Sequence, residues 1–483
     1  MKPAVRSSLR KGNRSCLKVE TGDEHYKGSC KLCTNVLHKS FALKKLKEVA
    51  VSCFKESFMS IIKPHKLGVI TGLGSEYLSG KVVKHLRRLY VERYDKLAKN
   101  LSSRYEIAED QVLRDVNFIE DLGSKKIPSG KYPTSYQCPN LEIPVKYTRF
   151  LNGEVKSEIL EPVRGMKLFI IYDVTNSAPL KMAGYDEPIS FSINDHIMIL
   201  FTIINAVNLA GAESVTLVLP TYPYARQHKK SSREALSAAV FGRMCESLGV
   251  ERIITLDIHS KEIENCFSKL HLENLHASYQ ILVELKKIID ISDPDITVVS
   301  PDTGAVSRNK FYAQVLHRPL AMLYKERDYS IVTTGAKNTN IKSISLLGDV
   351  TDKTVIIADD MLASGGTMLI AMKTLRNMGA KKIICITSLP FFNGNAVETF
   401  DKAHEEGVFD YVIGTNAVYH GDDLLSKQWF IQTDTSELFA RVISRLHHGR
   451  AISPLLDNRK IVQKLVDNSQ NAATRKQGEL FNN

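Results

Sequence analysis

The 483-residue sequence has no run approaching eighteen consecutive apolar residues; its most apolar stretches, such as 168–172 and 355–358, are only of strand length. A membrane-spanning helix is therefore excluded. There are eight cysteines, too few and too scattered for a disulfide framework in a chain this long, and Cys385 sits in an apolar segment, which suits a reducing, cytoplasmic setting. The Walker A arrangement of glycines is missing too, because 74–81 has the wrong glycine spacing and no Ser or Thr after Lys81. Cys30 and Cys33 have no second pair at zinc-ligand spacing nearby, so no zinc site is expected there. Acid is scarce at the start. No Asp or Glu precedes Glu20, and residues 1–66 carry fifteen Lys and Arg against five Asp and Glu, leaving fifty against forty-eight in the remainder. The net charge of +12 thus resides mostly in a basic leader, and the nearly neutral body shows no sign of a nucleic-acid or membrane partner. The leader lacks the apolar centre of a secretory signal. Its Arg- and Ser-rich opening has the composition of an organellar transit peptide, but a solvated, partly disordered tail over 1–65 is the commoner origin of such a stretch and is the expectation.

What is present is a rhythm. Short β-branched runs at 67–71, 168–174, 215–220, 252–258, 296–300, 354–358, 382–387 and 411–414 alternate with segments that repeat apolar residues at three-to-four spacing, as in Ile197, Leu200, Ile204 and Val207. Such alternation predicts an α/β protein with buried parallel strands. Two series predict two doubly wound domains, over 66–290 and 291–445, followed by a C-terminal segment and tail over 446–483, with reacting groups at the carboxyl ends of the strands. The stretch 90–147 breaks the rhythm with polar, Lys- and Pro-containing sequence and is read as an insertion.

The sharpest chemical signal is 355–367. An apolar strand delivers Asp359 and Asp360, then the small-residue loop Ala363, Ser364, Gly365, Gly366 and Thr367, then a helix. Glycines let backbone N–H groups approach an anion, the helix start adds positive potential, and two carboxylates can accept sugar hydroxyls. Gly-Gly-Thr can also simply cap a helix, yet paired acids at a strand end are costly without a ligand or cation.

That run resembles the phosphoribosyl-pyrophosphate loop of type I phosphoribosyltransferases and of ribose-phosphate pyrophosphokinases. Five further segments, in the latter family's order, choose between the two. They are Phe150-Leu-Asn152-Gly153-Glu154; the basic turn Arg226-Gln227-His228-Lys229-Lys230; Asp257-Ile-His259 at a strand terminus; Asp302-Thr-Gly304; and Lys325-Glu-Arg327, which opens a Gly- and Asn-containing stretch to Asn340. The chain is identified as similar to ribose-phosphate pyrophosphokinases, especially their longer variety, over roughly 66–465.

The resemblance implies phosphoribosyltransferase-like domains, an ATP side over 66–290 and a ribose 5-phosphate side over 291–445. It implies transfer of the diphosphoryl group of ATP to ribose 5-phosphate, with Mg²⁺ as cofactor and a homo-oligomer, dimer-based or hexameric. By the same resemblance Phe150, Asn152, Gly153, Glu154, Arg226 and Gln227 hold ATP. His259 and Asp302, with Asp257, order the metal. Arg327, Asp359, Asp360, Ala363, Ser364, Gly365, Gly366 and Thr367 hold ribose 5-phosphate, while Lys325 and Arg327 are catalytic. Two departures stand out: Ala363 replaces a third acid, and Ala305 a second glycine. They leave open a catalytically silent regulatory homologue, and the shared loop leaves open a phosphoribosyltransferase.

Overall fold

All eight β-branched runs form strands, because each is too apolar to lie on a surface and too short to bury itself as a helix. The computed structural model of the chain describes residues 66–115, 140–182, 185–230, 232–327 and 341–469; the leader, 116–139 of the expected insertion, the stretch 328–340 and the residues from 470 lie outside them.

The first half runs β1 (Lys66–Thr71), α1 (Glu76–Tyr105), α2 (Glu109–Asp115), the hairpin β2 (Val145–Arg149) and β3 (Val155–Ile159), β4 (Met166–Ile171), α3 (Ile193–Leu209), β5 (Ser214–Val218), α4 (Ser237–Ser247), β6 (Arg252–Leu256), β7 (His271–Leu275) and α5 (Ser278–Ile288). Its five-stranded sheet has the order β1-β4-β5-β6-β7, every pair parallel. On the other edge of β1, the Val69 N–H donates to Leu141 O at 2.7 Å and the Ile143 N–H to Val69 O at 2.8 Å, so the winding changes direction at β1.

The second half runs β8 (Ile296–Ser300), α6 (Val306–Leu316), β9 (Leu320–Arg327), β10 (Ile341–Leu347), β11 (Thr354–Leu362), α7 (Gly366–Asn377), β12 (Lys382–Pro390), α8 (Ala396–Glu405), β13 (Tyr411–Thr415), α9 (Gly421–Leu425), β14 (Phe430–Thr433), α10 (Ser436–His447) and α11 (Ser453–Leu456). A last helix spans 459–469. The order β10-β9-β8-β11-β12-β13-β14 reverses at β8, and only the β9/β10 pair is antiparallel.

Alternation along each strand divides the interior into three cores. Ile70, Leu168 and Ile170 face α3 and α4 on one side of the first sheet. Val69, Phe169 and Ile171 point the other way, into a layer that also takes Ile356, Ile384 and Ile413 from the second sheet. Val355, Ile357 and Cys385 face α7 and α8. The two expected halves therefore share a central core, and Pro64–Asn483 forms one compact unit. Each fully buried Leu or Ile contributes about 1.5–3 kcal/mol to that association.

The expected insertion at 90 starts inside α1, and 145–147 belongs to β2. The polar composition misled because the long helix lies at the surface. Its buried residues thin out after Leu86, and Arg88 reaches Glu437 of α10 at 3.0 Å. Among the described residues no helix is long and apolar enough to cross a membrane.

Candidate active site

Where the carboxyl ends of β6, β7, β8 and β11 converge, the chain leaves a cleft of 1570 Å³. The second sheet supplies the acid pair, and strand lengths explain how. β8 pairs with β11 only from Thr354 to Ile357, whereas β12 accompanies β11 to Leu362. Asp359 and Asp360 thus project past the end of β8 while held from the other edge. The peptide of Ala358, left without a strand on the β8 side, is satisfied by the fully buried Asn309 of α6. Asn309 Nδ2 donates to Ala358 O at 2.8 Å, and the Ala358 N–H donates to Asn309 Oδ1 at 3.0 Å.

The two carboxyls have different environments. Asp359 is half-buried, and its partial desolvation together with the charge of Asp360 pushes its pKa up to about 7. Burial would also raise Asp360, but the hydrogen bond to His259 and the charge of Arg308 outweigh it and hold Asp360 below its ordinary value. His259 Nδ1 lies 2.6 Å from Asp360 Oδ2, a contact that joins the two sheets across the cleft and leaves Nε2 for a ligand. His228 of the basic turn packs edge-on against His259, with ring centroids 5.3 Å apart.

His259 reaches that position because the backbone kinks at Asp257, whose φ is +42°. Asn274 Oδ1 accepts the next N–H, that of Ile258, at 2.8 Å and fixes the turn. The Asp257 carboxylate is itself spent. Oδ1 faces His276 Nδ1 at 2.7 Å and Oδ2 accepts from Ser388 Oγ at 2.6 Å and the Ala277 N–H at 3.1 Å. Despite burial these donors, with the Arg308 charge, hold its pKa well below the carboxylate range. Asp257 therefore joins β6, β7 and β12 and also lines the cleft. Asp302 Oδ1 accepts the N–H groups of Gly304 and Ala305 at 2.9 and 3.0 Å, which starts α6, while Oδ2 has no protein partner among the described residues.

Ala363, Ser364, Gly365, Gly366 and Thr367 all line the cleft. Gly365 has φ +72°, and a Cβ there would lie 2.3 Å from Phe400 Cε2, so conformation and packing both require glycine. No acid stands in the first turn of α7, and its N-cap Gly365 has no side chain to satisfy the free N–H groups. This is an open anion seat.

Arg226 is exposed on the cleft wall, on the turn that follows β5. Gln227 and the hairpin tip 150–154 do not line the cleft. The tip is a closed turn in which the Phe150 N–H donates to Glu154 O at 2.8 Å and Asn152 Oδ1 accepts the Glu154 N–H at 3.1 Å, with Gly153 at φ +92°. Lys325 and Arg327 stand on β9, opposite Ile344 and Ile341 of β10, at the end of a paired strand. Sequence reasoning missed Asn309, His276 and Arg308. Arg308 and Asn309 lie just beyond the Asp302 motif, and only the packing of α6 on β11 reveals them.

Fold and site together define a phosphate-binding α/β protein of the phosphoribosyltransferase type, and residues 271–421 match the family described as phosphoribosyl transferase domain. Residues 136–249 match the N-terminal domain of ribose phosphate pyrophosphokinase. The chain is 34% identical to ribose-phosphate pyrophosphokinase 2 of Schizosaccharomyces pombe over 64% of its own length and 88% of that protein's. It is 31% identical to ribose-phosphate pyrophosphokinase of Chlorobaculum tepidum over 67% and 90%. The crystal structure of phosphoribosylpyrophosphate synthetase from Mycobacterium smegmatis superposes with a TM-score of 0.57 at 24% identity, covering 80% of this chain and 99% of that one, and so shares the fold. The chain belongs to the ribose-phosphate pyrophosphokinase family.

Proposed function

We propose that this chain is a ribose-phosphate diphosphokinase, moving the β,γ-diphosphoryl group of ATP to O1 of ribose 5-phosphate to give phosphoribosyl pyrophosphate and AMP. The carrying observation is the acid pair Asp359–Asp360 beside the open seat at α7, faced across the cleft by His259 and Arg226. O1 bonds to the β-phosphorus, the bridging oxygen leaves with AMP, and the O1 proton passes to solvent. Such a displacement needs charge neutralisation and alignment more than covalent help.

Asp359 and Asp360 accept the ribose hydroxyls, whose donors relieve the repulsion in the empty pair. Ser364, Gly365, Gly366 and Thr367 take the 5-phosphate, and Ala363 leaves room beside them. Arg226 meets the nucleotide phosphates, with Gln227 next to it in the turn. Lys325 and Arg327 steady charge on the transferring group, a contribution of ~3 to 4 kcal/mol per donor.

The donors fit Mg²⁺. Asp302 Oδ2, which has no protein partner among the described residues, offers the hard oxygen donor that such an ion takes alongside phosphate oxygens. His259 and Asp302, with Asp257, would hold it, and when bound it would neutralise phosphate charge. Phe150, Asn152, Gly153 and Glu154 serve adenine in this reading. Phe150 is 47% exposed and Leu151 fully so, which supports a homo-oligomer built on dimers in which the tip meets another copy. Free, buried Cys245 and Cys385 suit a cytoplasmic setting.

AMP release from ATP is expected to require both ribose 5-phosphate and Mg²⁺. AMP release independent of the sugar, or none with both present, would overturn the reading.

A further inference from the structure

The last helix, 459–469, is fastened to the body from one end to the other. Val462 and Val466 are fully buried in the central core, and Gln463 Nε2 lies 3.1 Å from His317 Nε2, just past the end of α6. The Val462 N–H donates to Asn458 O at 2.9 Å, which makes Asn458 the residue that caps this helix. An asparagine in that place ordinarily turns its side-chain oxygen onto its own helix. Among the described residues Asn458 makes no such bond. It is buried, and its Nδ2 donates to His276 O at 3.3 Å and to Ser278 Oγ at 2.8 Å, 182 and 180 positions earlier in the chain. The turn it grips, between β7 and α5, is the one that supplies Asp257: His276 Nδ1 lies 2.7 Å from Asp257 Oδ1, and the Ala277 N–H donates to Oδ2 at 3.1 Å. That turn has no side-chain cap of its own, because the residue that starts α5 is Ala277. Contacts therefore run from Asn458 through the turn to Asp257, and the kinked backbone at Asp257 sets the place of His259. Leu456, Asp457, Asn458 and Arg459 all line the cleft.

From this geometry we infer that Asn458 is a positioning residue for the reaction: it fixes the turn at 276–278 so that Asp257 and His259 meet the cation on the triphosphate, which makes the C-terminal segment a working part of the nucleotide side. The inference rests on the function proposed above. Groups that hold the partners of a metal-binding side chain tune the site without touching the ion. The seat at α7 belongs to β11 and its loop, to which Asn458 makes no hydrogen bond among the described residues. Its influence should therefore fall on one substrate and spare the other.

The test uses the full chain as wild type, Asn458→Ala and Asn458→Asp. Asn458→Asp keeps the shape and still caps the helix while losing both donated bonds, so it protects the fold; Asn458→Ala loses the same bonds without adding a charge. Binding of the Mn²⁺ complex of ATP, without sugar, is read from water-proton relaxation, and binding of ribose 5-phosphate from calorimetry. Both variants are expected to bind the Mn²⁺ complex roughly tenfold more weakly and ribose 5-phosphate less than about threefold more weakly, with kcat for AMP release falling roughly tenfold. Wild-type affinity for the Mn²⁺ complex in Asn458→Ala would sink the inference, and a loss confined to Asn458→Asp would assign the effect to the added charge. Equal losses for both ligands would show that Asn458 only supports the fold, and would sink it too. Wild type that binds neither ligand would instead overturn the proposed function.

Discussion

Replacing Asp359 by Asn removes a charge that the fold holds at a cost. Displacement of its pKa from 3.8 to about 7 by burial and by Asp360 corresponds to about 4 kcal/mol at most. Water reaching the cleft screens part of that, so about 2 kcal/mol is the working figure. The sign follows from proton linkage. The folded state binds this proton more tightly than the unfolded chain does, so wild type loses stability as pH rises from about 4 to about 7 and is flat above that. In Asp359→Asn this group no longer titrates. Thermal unfolding of the variant should therefore match wild type near pH 4 and exceed it at pH 8. With an unfolding entropy of about 2.1 cal/mol/K per residue over the unit Pro64–Asn483, 2 kcal/mol is about 2 °C in Tm. Saturating ribose 5-phosphate should reverse the ranking, because a ligand at a hundred times its Kd adds ~2.7 kcal/mol to wild type and much less to a variant short of one hydroxyl acceptor. A variant less stable than wild type at pH 8, or a difference that does not change with pH, would refute the reasoning and make Asp359 a structural acid.

Lys325→Ala should leave the Tm unchanged and lower kcat by roughly two to three orders of magnitude, with a smaller change in the KM for ATP; an unchanged kcat in steady-state assays would remove it from the reaction. Gly365→Ala should cost ~2 to 4 kcal/mol, from the left-handed backbone and the overlap with Phe400, and denaturant titration would expose the idea as wrong if the midpoint did not move. Asn309→Leu leaves the Ala358 N–H and C=O unsatisfied, at about 1–3 kcal/mol each, and should weaken ribose 5-phosphate as well as stability; normal sugar binding would show that the acids hold their place without it.

Much of this protein was legible one segment at a time. The β-branched runs marked eight strands because a buried parallel strand must be apolar throughout, and Asp359 to Thr367 stood out as a candidate phosphate seat because few residues tolerate a helix start that close to an anion. Less legible were the edge elements. β7, β9, β10 and β14 are short or half-exposed, so their patterns merge with loops, and the surface helix α1 looked like an insertion because its second half has few apolar neighbours.

By itself the sequence determined the chemistry at hand: two acids, a glycine loop, a strand-end histidine and a basic turn, each written in consecutive residues. Tertiary structure alone decided which of those groups meet. His259 and Asp360 are 101 positions apart and become partners only when two sheets share a core. Asp257, two residues from His259, is instead bonded to His276 and Ser388 and ties three strands together. Asn309 and Arg308 gain their roles because β8 stops short of β11, leaving a peptide and an open wall for α6 to fill. Pairings of this kind depend on strand length and helix packing across long stretches of chain, and no local spacing of residue types encodes them.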